Sequence, residues 1–218
     1  MYYTHFGLLQ SPYKITPDTG AFFHGGDRGD ILNALVFAIK NGEAITKVVG
    51  EVGSGKTMLC RMLQEKLAGE IEIAYLSNPN LSPENVLPAI AMELGLPIHH
   101  DNATNRLHVL KSLETFLLEK HANNKQVVVL VEEAQGMPLA SLEEIRLLSN
   151  LETHQHKLLQ VVLFGQPELD HNLSSSHVRQ IKDRITHSLY LPPIKLVDIR
   201  EYLLFRLRHA GYSGPSLF

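Results

Sequence analysis

Gly50-Glu51-Val52-Gly53-Ser54-Gly55-Lys56-Thr57 matches a phosphate-binding loop at every required position. The flanking residues supply the context that such a loop needs. Residues 44–49, Ala-Ile-Thr-Lys-Val-Val, form a short apolar run rich in β-branched side chains and read as a strand. Residues 58–67 place Leu59, Leu63 and Leu67 on one side of a helix. Between a strand and a helix, the glycines let backbone N–H groups turn inward around phosphate oxygens. The helix aims its positive dipole end at the same anion. Lys56 is placed to reach the β- and γ-phosphates, and Thr57 to offer its hydroxyl to Mg²⁺. The stretch from Gly50 to Thr57, with Met58 behind it, predicts a nucleoside triphosphate site.

A triphosphatase also needs an acidic strand end. Val127-Val128-Val129-Leu130-Val131-Glu132-Glu133 provides one: a continuous apolar strand that delivers two carboxylates to its C-terminal edge. One carboxylate is expected to hold the Mg²⁺ shell and the other to polarise the attacking water. The guanine-reading pattern Asn-Lys-x-Asp is absent, since Asn124-Lys125-Gln126-Val127 fails at its last position. ATP is therefore preferred to GTP.

Further strands are expected over residues 72–76, 158–164 and 189–191, giving five in all. Helices are expected over 31–39, from Ser82-Pro83, over 106–120 and 139–151, and from Asp198 with Glu201 reaching back. Alternating strands and helices predict an α/β fold with a parallel sheet between helices. The first thirty residues carry turn-formers and aromatics without periodicity and read as an arm packed on the domain. The 218 residues are 44% hydrophobic and 20% charged, enough for a sizeable core. A net charge of −3 supplies no bulk positive field for nucleic acid or anionic lipid. The single cysteine, Cys60, excludes an internal disulfide and fits a reducing compartment. No apolar run approaches membrane-helix length, and no signal-peptide pattern opens the chain, so a soluble intracellular protein is expected.

These residues resemble the ExeA/GspA-type AAA+ ATPases of bacterial secretion and pilus systems. The likeness rests on the phosphate loop, Glu132-Glu133-Ala134-Gln135, residues 146–153 (Arg-Leu-Leu-Ser-Asn-Leu-Glu-Thr) and Phe164-Gly165-Gln166-Pro167-Glu168-Leu169. The opening Tyr3-x-x-Phe6-Gly7-Leu8 and the late Tyr202-x-x-x-Arg206-Leu207-x-x-Ala210-Gly211 also fit. Within the family, the short form looks most like the MshM-type proteins of MSHA (type IV) pilus biogenesis. The resemblance implies an AAA+ nucleotide domain over residues 31–193, preceded by the arm at 1–30 and followed by the start of an incomplete helical lid at 194–218. It implies ATP and Mg²⁺ as cofactors, with Thr57 and Glu132 at the metal. It makes Glu133 the catalytic glutamate and Gln166 the residue that contacts the γ-phosphate or attacking water. Arg184, with Arg179 second, is the arginine that enters a neighbour's site. Asn78 stands where the family keeps a polar residue that restrains the glutamate, although Asn78-Pro79-Asn80 equally reads as a turn. Two departures follow: Glu132 replaces the usual Asp, and a sensor-2 arginine is lacking, which together make weak hydrolysis plausible.

The implied partners are further copies of the chain and pilus or secretion assembly proteins, in the cytoplasm and peripherally at the inner membrane. Nucleic acid is disfavoured. A DNA-binding transposition-type regulator and a small-molecule phosphotransferase stay open as alternatives. Twelve histidines are present, but His99-His100 and His154-Gln155-His156 lack the companions that zinc spacing requires. Cys60 reads as a core thiol rather than a nucleophile.

Overall fold

The computed structural model describes residues 2–97, 106–154, 156–175 and 179–217. Five parallel strands form one sheet: β1 (Ile45–Val49), β2 (Ile71–Leu76), β3 (Gln126–Val131), β4 (Gln160–Gly165) and β5 (Ile185–Tyr190), in the order β2-β3-β4-β1-β5. The period of two along the central strands sorts their side chains onto two cores. Val127, Val129, Val131, Val161 and Leu163 face one cluster, with α4 (Pro83–Glu93), α5 (Arg106–Ala122), α6 (Leu139–Leu148) and α7 (Glu168–Leu173). Val128, Leu130, Val162 and Phe164 face the other, under α2 (Arg28–Lys40) and α3 (Lys56–Leu67). Burial on both faces explains why β3 is aliphatic from Val127 to Val131.

Strand register sets the position of the site. Val49 pairs with Gly165, Val131 with Leu163, and Leu76 with Val131. The chain leaving β1 at Gly50, β3 at Glu132 and β4 at Gln166 therefore emerges along one edge of the sheet. This is the C-terminal edge, where open α/β sheets take ligands.

Three expectations need correction. The last strand is Ile185–Tyr190, longer than the apolar triplet at 189–191. It is an edge strand whose inward residues are only half-buried, so its pattern is diluted by Thr186, His187 and Ser188. Asp198 does not cap the final helix, α9 (Leu196–His209). Lys195 occupies the cap position, and Asp198 lies in the first turn. Ser82 sits at the cap of α4, but its hydroxyl bonds the side chains of Glu84 and Asn85 rather than a backbone N–H.

The N-terminal arm contains a five-residue helix, α1 (Tyr2–Phe6), which buries none of its residues and is too short to show a period. Its main attachment is to α9. Leu8 packs with Leu207 and Ala210, and the Leu9 N–H donates to the Ala210 carbonyl at 2.8 Å. The Arg206 Nε donates to the Pro12 carbonyl at 2.7 Å, and Phe23 lies edge-on to Tyr202. The arm also reaches α3, where the Thr19 hydroxyl donates to Glu65 at 2.5 Å. The remaining short helix, α8 (Arg179–Lys182), precedes β5.

Candidate nucleotide-binding site

The loop from Gly50 to Thr57 turns between β1 and α3. Gly53 and Gly55 adopt φ of 77° and 101°, left-handed values that L side chains rarely take. At Gly50 a Cβ would stand 2.6 Å from the Leu191 carbonyl and 2.7 Å from the Ser54 hydroxyl, so only glycine fits. Lys56 folds back over the loop and donates to the Gly50 carbonyl at 2.7 Å and the Glu51 carbonyl at 3.0 Å. Burial lowers the pKa of its ammonium, while Glu133, Glu51, Glu132 and Glu168 oppose that shift.

Arg28, the first residue of α2, braces the loop from below. Its guanidinium donates to the carbonyls of Ser54 at 2.8 Å, Gly26 at 3.1 Å and Pro192 at 3.2 Å. The side chain is 7% exposed and, in these bonds, meets carbonyls rather than a carboxylate. Burial lowers its pKa, against the attraction of Tyr202, Asp27 and Asp198. Sequence reading missed this residue, because its partners lie 26 and 164 positions away for the two longer-range bonds.

The acidic edge carries a second network. Glu133 has φ 50°, a left-handed conformation uncommon for a side chain of this size. Its Oε2 accepts from Gln135 Nε2 at 2.6 Å and from Gln166 Nε2 at 3.0 Å. Gln135 in turn accepts the Gln166 backbone N–H at 3.0 Å through Oε1, and Asn172 Nδ2 donates to the Gln135 carbonyl at 3.0 Å. Burial raises the carboxyl pKa of Glu133, but the two amide bonds and the Lys56 charge outweigh it and hold the group below the usual glutamate range. Glu132 is buried and accepts from the Tyr75 hydroxyl. Burial, with that bond and the carboxylate charge, pushes the Tyr75 phenol above its usual range.

The structure thus gathers Lys56, Thr57, Glu133 and Gln166 around one open cleft of about 400 Å³, which Tyr13, Tyr202 and Arg206 also line. A recess of about 110 Å³ opens behind the loop, lined by Phe22, Met58, Ile194 and Tyr202. The arm and α9 both contribute to these two walls, through Tyr13 and Pro17 in the cleft, Phe22 and Phe23 in the recess, and Tyr202 and Arg206 in both, which the motif alone did not reveal. A larger cavity of about 900 Å³ lies by Lys40, Gln126 and Lys157, at the edge of the sheet where β3 begins, and holds none of these groups.

Asn78 does not join the site. It is exposed, and its Oδ1 accepts the Asn80 N–H at 3.0 Å, so the turn reading of Asn78-Pro79-Asn80 holds and Gln135 takes the restraining contact. Arg184 precedes Ile185, which pairs with Ile45 at the start of β1. It therefore lies about 15 Å of strand away from the loop in its own chain. Its charge acts on Glu152. Arg179 opens α8. Cys60 is buried, and burial pushes its thiol up to about 12, which suits a core thiol and not a nucleophile. His99 and His100 lie outside the described residues, and His156 stacks obliquely on His121 at 5.2 Å. No group of three or more potential metal ligands gathers among the described residues. No helix among them is long and apolar enough to cross a membrane.

A glycine loop between β1 and α3, a buried acidic strand end beside it, and the strand order β2-β3-β4-β1-β5 define a P-loop nucleoside triphosphatase fold. The chain belongs to the AAA domain family, which it matches over residues 39–173. It is 40% identical over 215 residues to general secretion pathway protein A of Aeromonas hydrophila. That alignment takes in 99% of this chain and 39% of the relative, so the chain spans well under half of that protein's length. The ORC2 protein of Aeropyrum pernix in its ADP form superposes with a TM-score of 0.64 at 19% identity, covering 90% of this chain and 55% of that one. Cdc6p of Pyrobaculum aerophilum gives 0.64 at 18% identity, with 91% and 52% covered. Both likenesses are of fold.

Proposed function

We propose that the chain binds and hydrolyses ATP and couples that cycle to assembly of a type II secretion apparatus or an MSHA-like type IV pilus. The observation that carries the hydrolytic part is the Glu133 carboxylate, held ionised by Gln135 and Gln166 over the same cleft that Lys56 and Thr57 line. In this reading the backbone from Gly50 to Met58 cradles the phosphates, and Lys56 leaves the carbonyls of Gly50 and Glu51 for the β- and γ-oxygens. Adenine takes the recess beside Phe22, Ile194 and Tyr202. Glu133 accepts a proton from the water that attacks the γ-phosphorus, and Gln166 orients that water through its amide.

Thr57 and Glu132 would hold Mg²⁺, and the fit of Glu132 rests on its Oε1, which is buried with no hydrogen-bond partner among the described residues. When bound, Mg²⁺ supplies charge neutralisation at the β- and γ-phosphates. Arg184 acts in a neighbouring copy, since its own loop is out of reach, and complements charge on the transferring phosphoryl group there. The domain division is the one drawn from sequence: an arm at 1–30, a nucleotide domain at 31–193 and the start of a lid at 194–218. Clamping of the arm to α9 supports treating arm and lid as one wall of the cleft.

The secretion or pilus role is supported by the 40% identity to general secretion pathway protein A. Two measurements test the reading together. Lys56→Ala is expected to abolish nucleotide binding by calorimetry, because the loop's cation is lost; retained micromolar affinity would refute the phosphate-loop assignment. Full-length protein captured from bacterial cells with ATP is expected to bring inner-membrane secretion or pilus assembly proteins. Capture of nucleic acid alone, in a salt-dependent manner, would instead favour the DNA-binding regulator.

A further inference from the structure

Glu132, assigned above to the metal, carries one methylene more than an aspartate, and the Tyr75 hydroxyl holds its carboxylate. β3 ends at Val131, but the Glu132 N–H still donates to the Leu76 carbonyl at 2.9 Å, so residue 132 continues the face on which Leu130 stands. On that face Leu130 packs with Cys60 and Leu63 of α3. The Glu132 charge acts on Cys60. Thr57 precedes Cys60 by three positions, which places it one helical turn nearer the phosphate loop on the same side of α3. Tyr75 pairs in register with Leu130 on the adjacent strand, so its ring extends along this face toward Glu132.

The two carboxylate oxygens of Glu132 differ. Oε2 accepts the Tyr75 hydroxyl, while Oε1 is buried and meets no donor among the described residues. The residue as a whole is 8% exposed. A buried carboxylate with one oxygen satisfied and the other open is unfavourable until a cation, or water bound to one, completes it. The extra methylene of a glutamate also brings a rotatable bond whose freedom must be lost on binding. A fixed donor on one oxygen removes that freedom in advance.

We propose that Tyr75 is a positioning residue for the cation that accompanies the nucleotide: by holding Oε2 of Glu132 it presents Oε1 to the Mg²⁺ shell beside Thr57. This rests on the nucleotide-site reading above. Tyr75 touches neither nucleotide nor metal. Its effect is confined to metal-dependent binding and passes entirely through Glu132.

The test uses Mn²⁺ as a spectroscopic probe, with ADP and the full chain. In EDTA, Tyr75→Phe is expected to bind ADP within about twofold of the parent, because phosphate contacts of the loop are untouched. With Mn²⁺ titrated against the protein–ADP complex and read by electron paramagnetic resonance, affinity for the ion is expected to fall about tenfold, the size of one lost charge-assisted hydrogen bond. Glu132→Asp withdraws the carboxylate from Tyr75, so Tyr75→Phe added to it is expected to change Mn²⁺ affinity less than twofold. A structural defect would instead lower ADP affinity in EDTA and persist in the Glu132→Asp background, which would overturn the proposal. Unchanged Mn²⁺ affinity in Tyr75→Phe would also overturn it while leaving the nucleotide site intact. Failure of the parent protein to bind ADP in EDTA would overturn the nucleotide-site reading and this proposal with it.

Discussion

Replacing Arg28 with alanine removes a side chain that ties the phosphate loop to both the start of α2 and the chain after β5. A hydrogen bond from a charged donor contributes about 1.5–3 kcal/mol, and a buried carbonyl left without a donor costs about 1–3 kcal/mol. Against this, truncation releases a charge whose burial costs several kcal/mol. The Gly26 carbonyl is local and part-buried, so the Ser54 and Pro192 carbonyls dominate, and the net loss is expected at about 2–3 kcal/mol. For a domain of this size that corresponds to a fall of roughly 5–10 °C in melting temperature. The same change frees the Ser54 carbonyl and loosens the loop, so ADP affinity should drop about tenfold, equivalent to about 1.4 kcal/mol. Urea unfolding with and without ADP measures both quantities. Because the partners are carbonyls and the group is buried, the stability loss should be equal at low and high salt. Arg28→Lys should recover little, since an ammonium lacks the planar fork that meets two carbonyls. A loss under 0.5 kcal/mol for Arg28→Ala, or one that vanishes in 1 M salt, would refute the brace (these limits being about the scatter of surface substitutions and the reach of screening).

Two further outcomes are expected. Glu133 has a depressed carboxyl pKa, so its folded form binds a proton more weakly than the unfolded chain; its contribution to stability is present above the unfolded value and is lost as pH falls through the depressed one. The acid limb of the pH–rate profile should therefore lie below the ordinary glutamate range, and Gln135→Ala, which deletes the 2.6 Å donor, should move it upward; an unmoved limb would separate the two residues. Activity per subunit in full-length protein should rise with protein concentration, and Arg184→Ala should remove most of that rise with ATP affinity within a few-fold; steady-state assays beside light scattering decide this, and concentration-independent activity from a monomer would rule out a shared site.

The legible parts of the fold were those whose physics is local. Four valines and a leucine in series are short and β-branched enough to read as a strand buried on both faces, and β3 is one. The phosphate loop is fixed by glycines at positions where the backbone must turn left-handed or approach another carbonyl, so its pattern survives in sequence. Edge strand β5 is longer than its apolar signal because His187 stands between Ile185 and Leu189 on the half-buried face, with Thr186 and Ser188 exposed beside it. The brace by Arg28 and the clamp of Arg206 on Pro12 were invisible for a different reason. Each joins segments far apart in the chain, 164 and 194 positions in the extreme cases, and neither leaves a local period. Asn78 shows the converse, a local turn bond prevailing over a longer-range role. Gln135 was visible only as part of a motif. Its function as the link between Glu133, Gln166 and Asn172 emerges once β3 and β4 lie side by side.

The most direct test of hydrolysis by this site is the identity of the nucleotide retained after incubation with ATP and Mg²⁺. Chromatography of nucleotide released from the isolated protein gives the answer for the parent and for Glu133→Gln. The parent should yield ADP. The variant should bind with similar affinity and yield ATP, because an amide cannot accept the water's proton. Conversion to ADP by Glu133→Gln at the parental rate would contradict the assignment of Glu133 as the base.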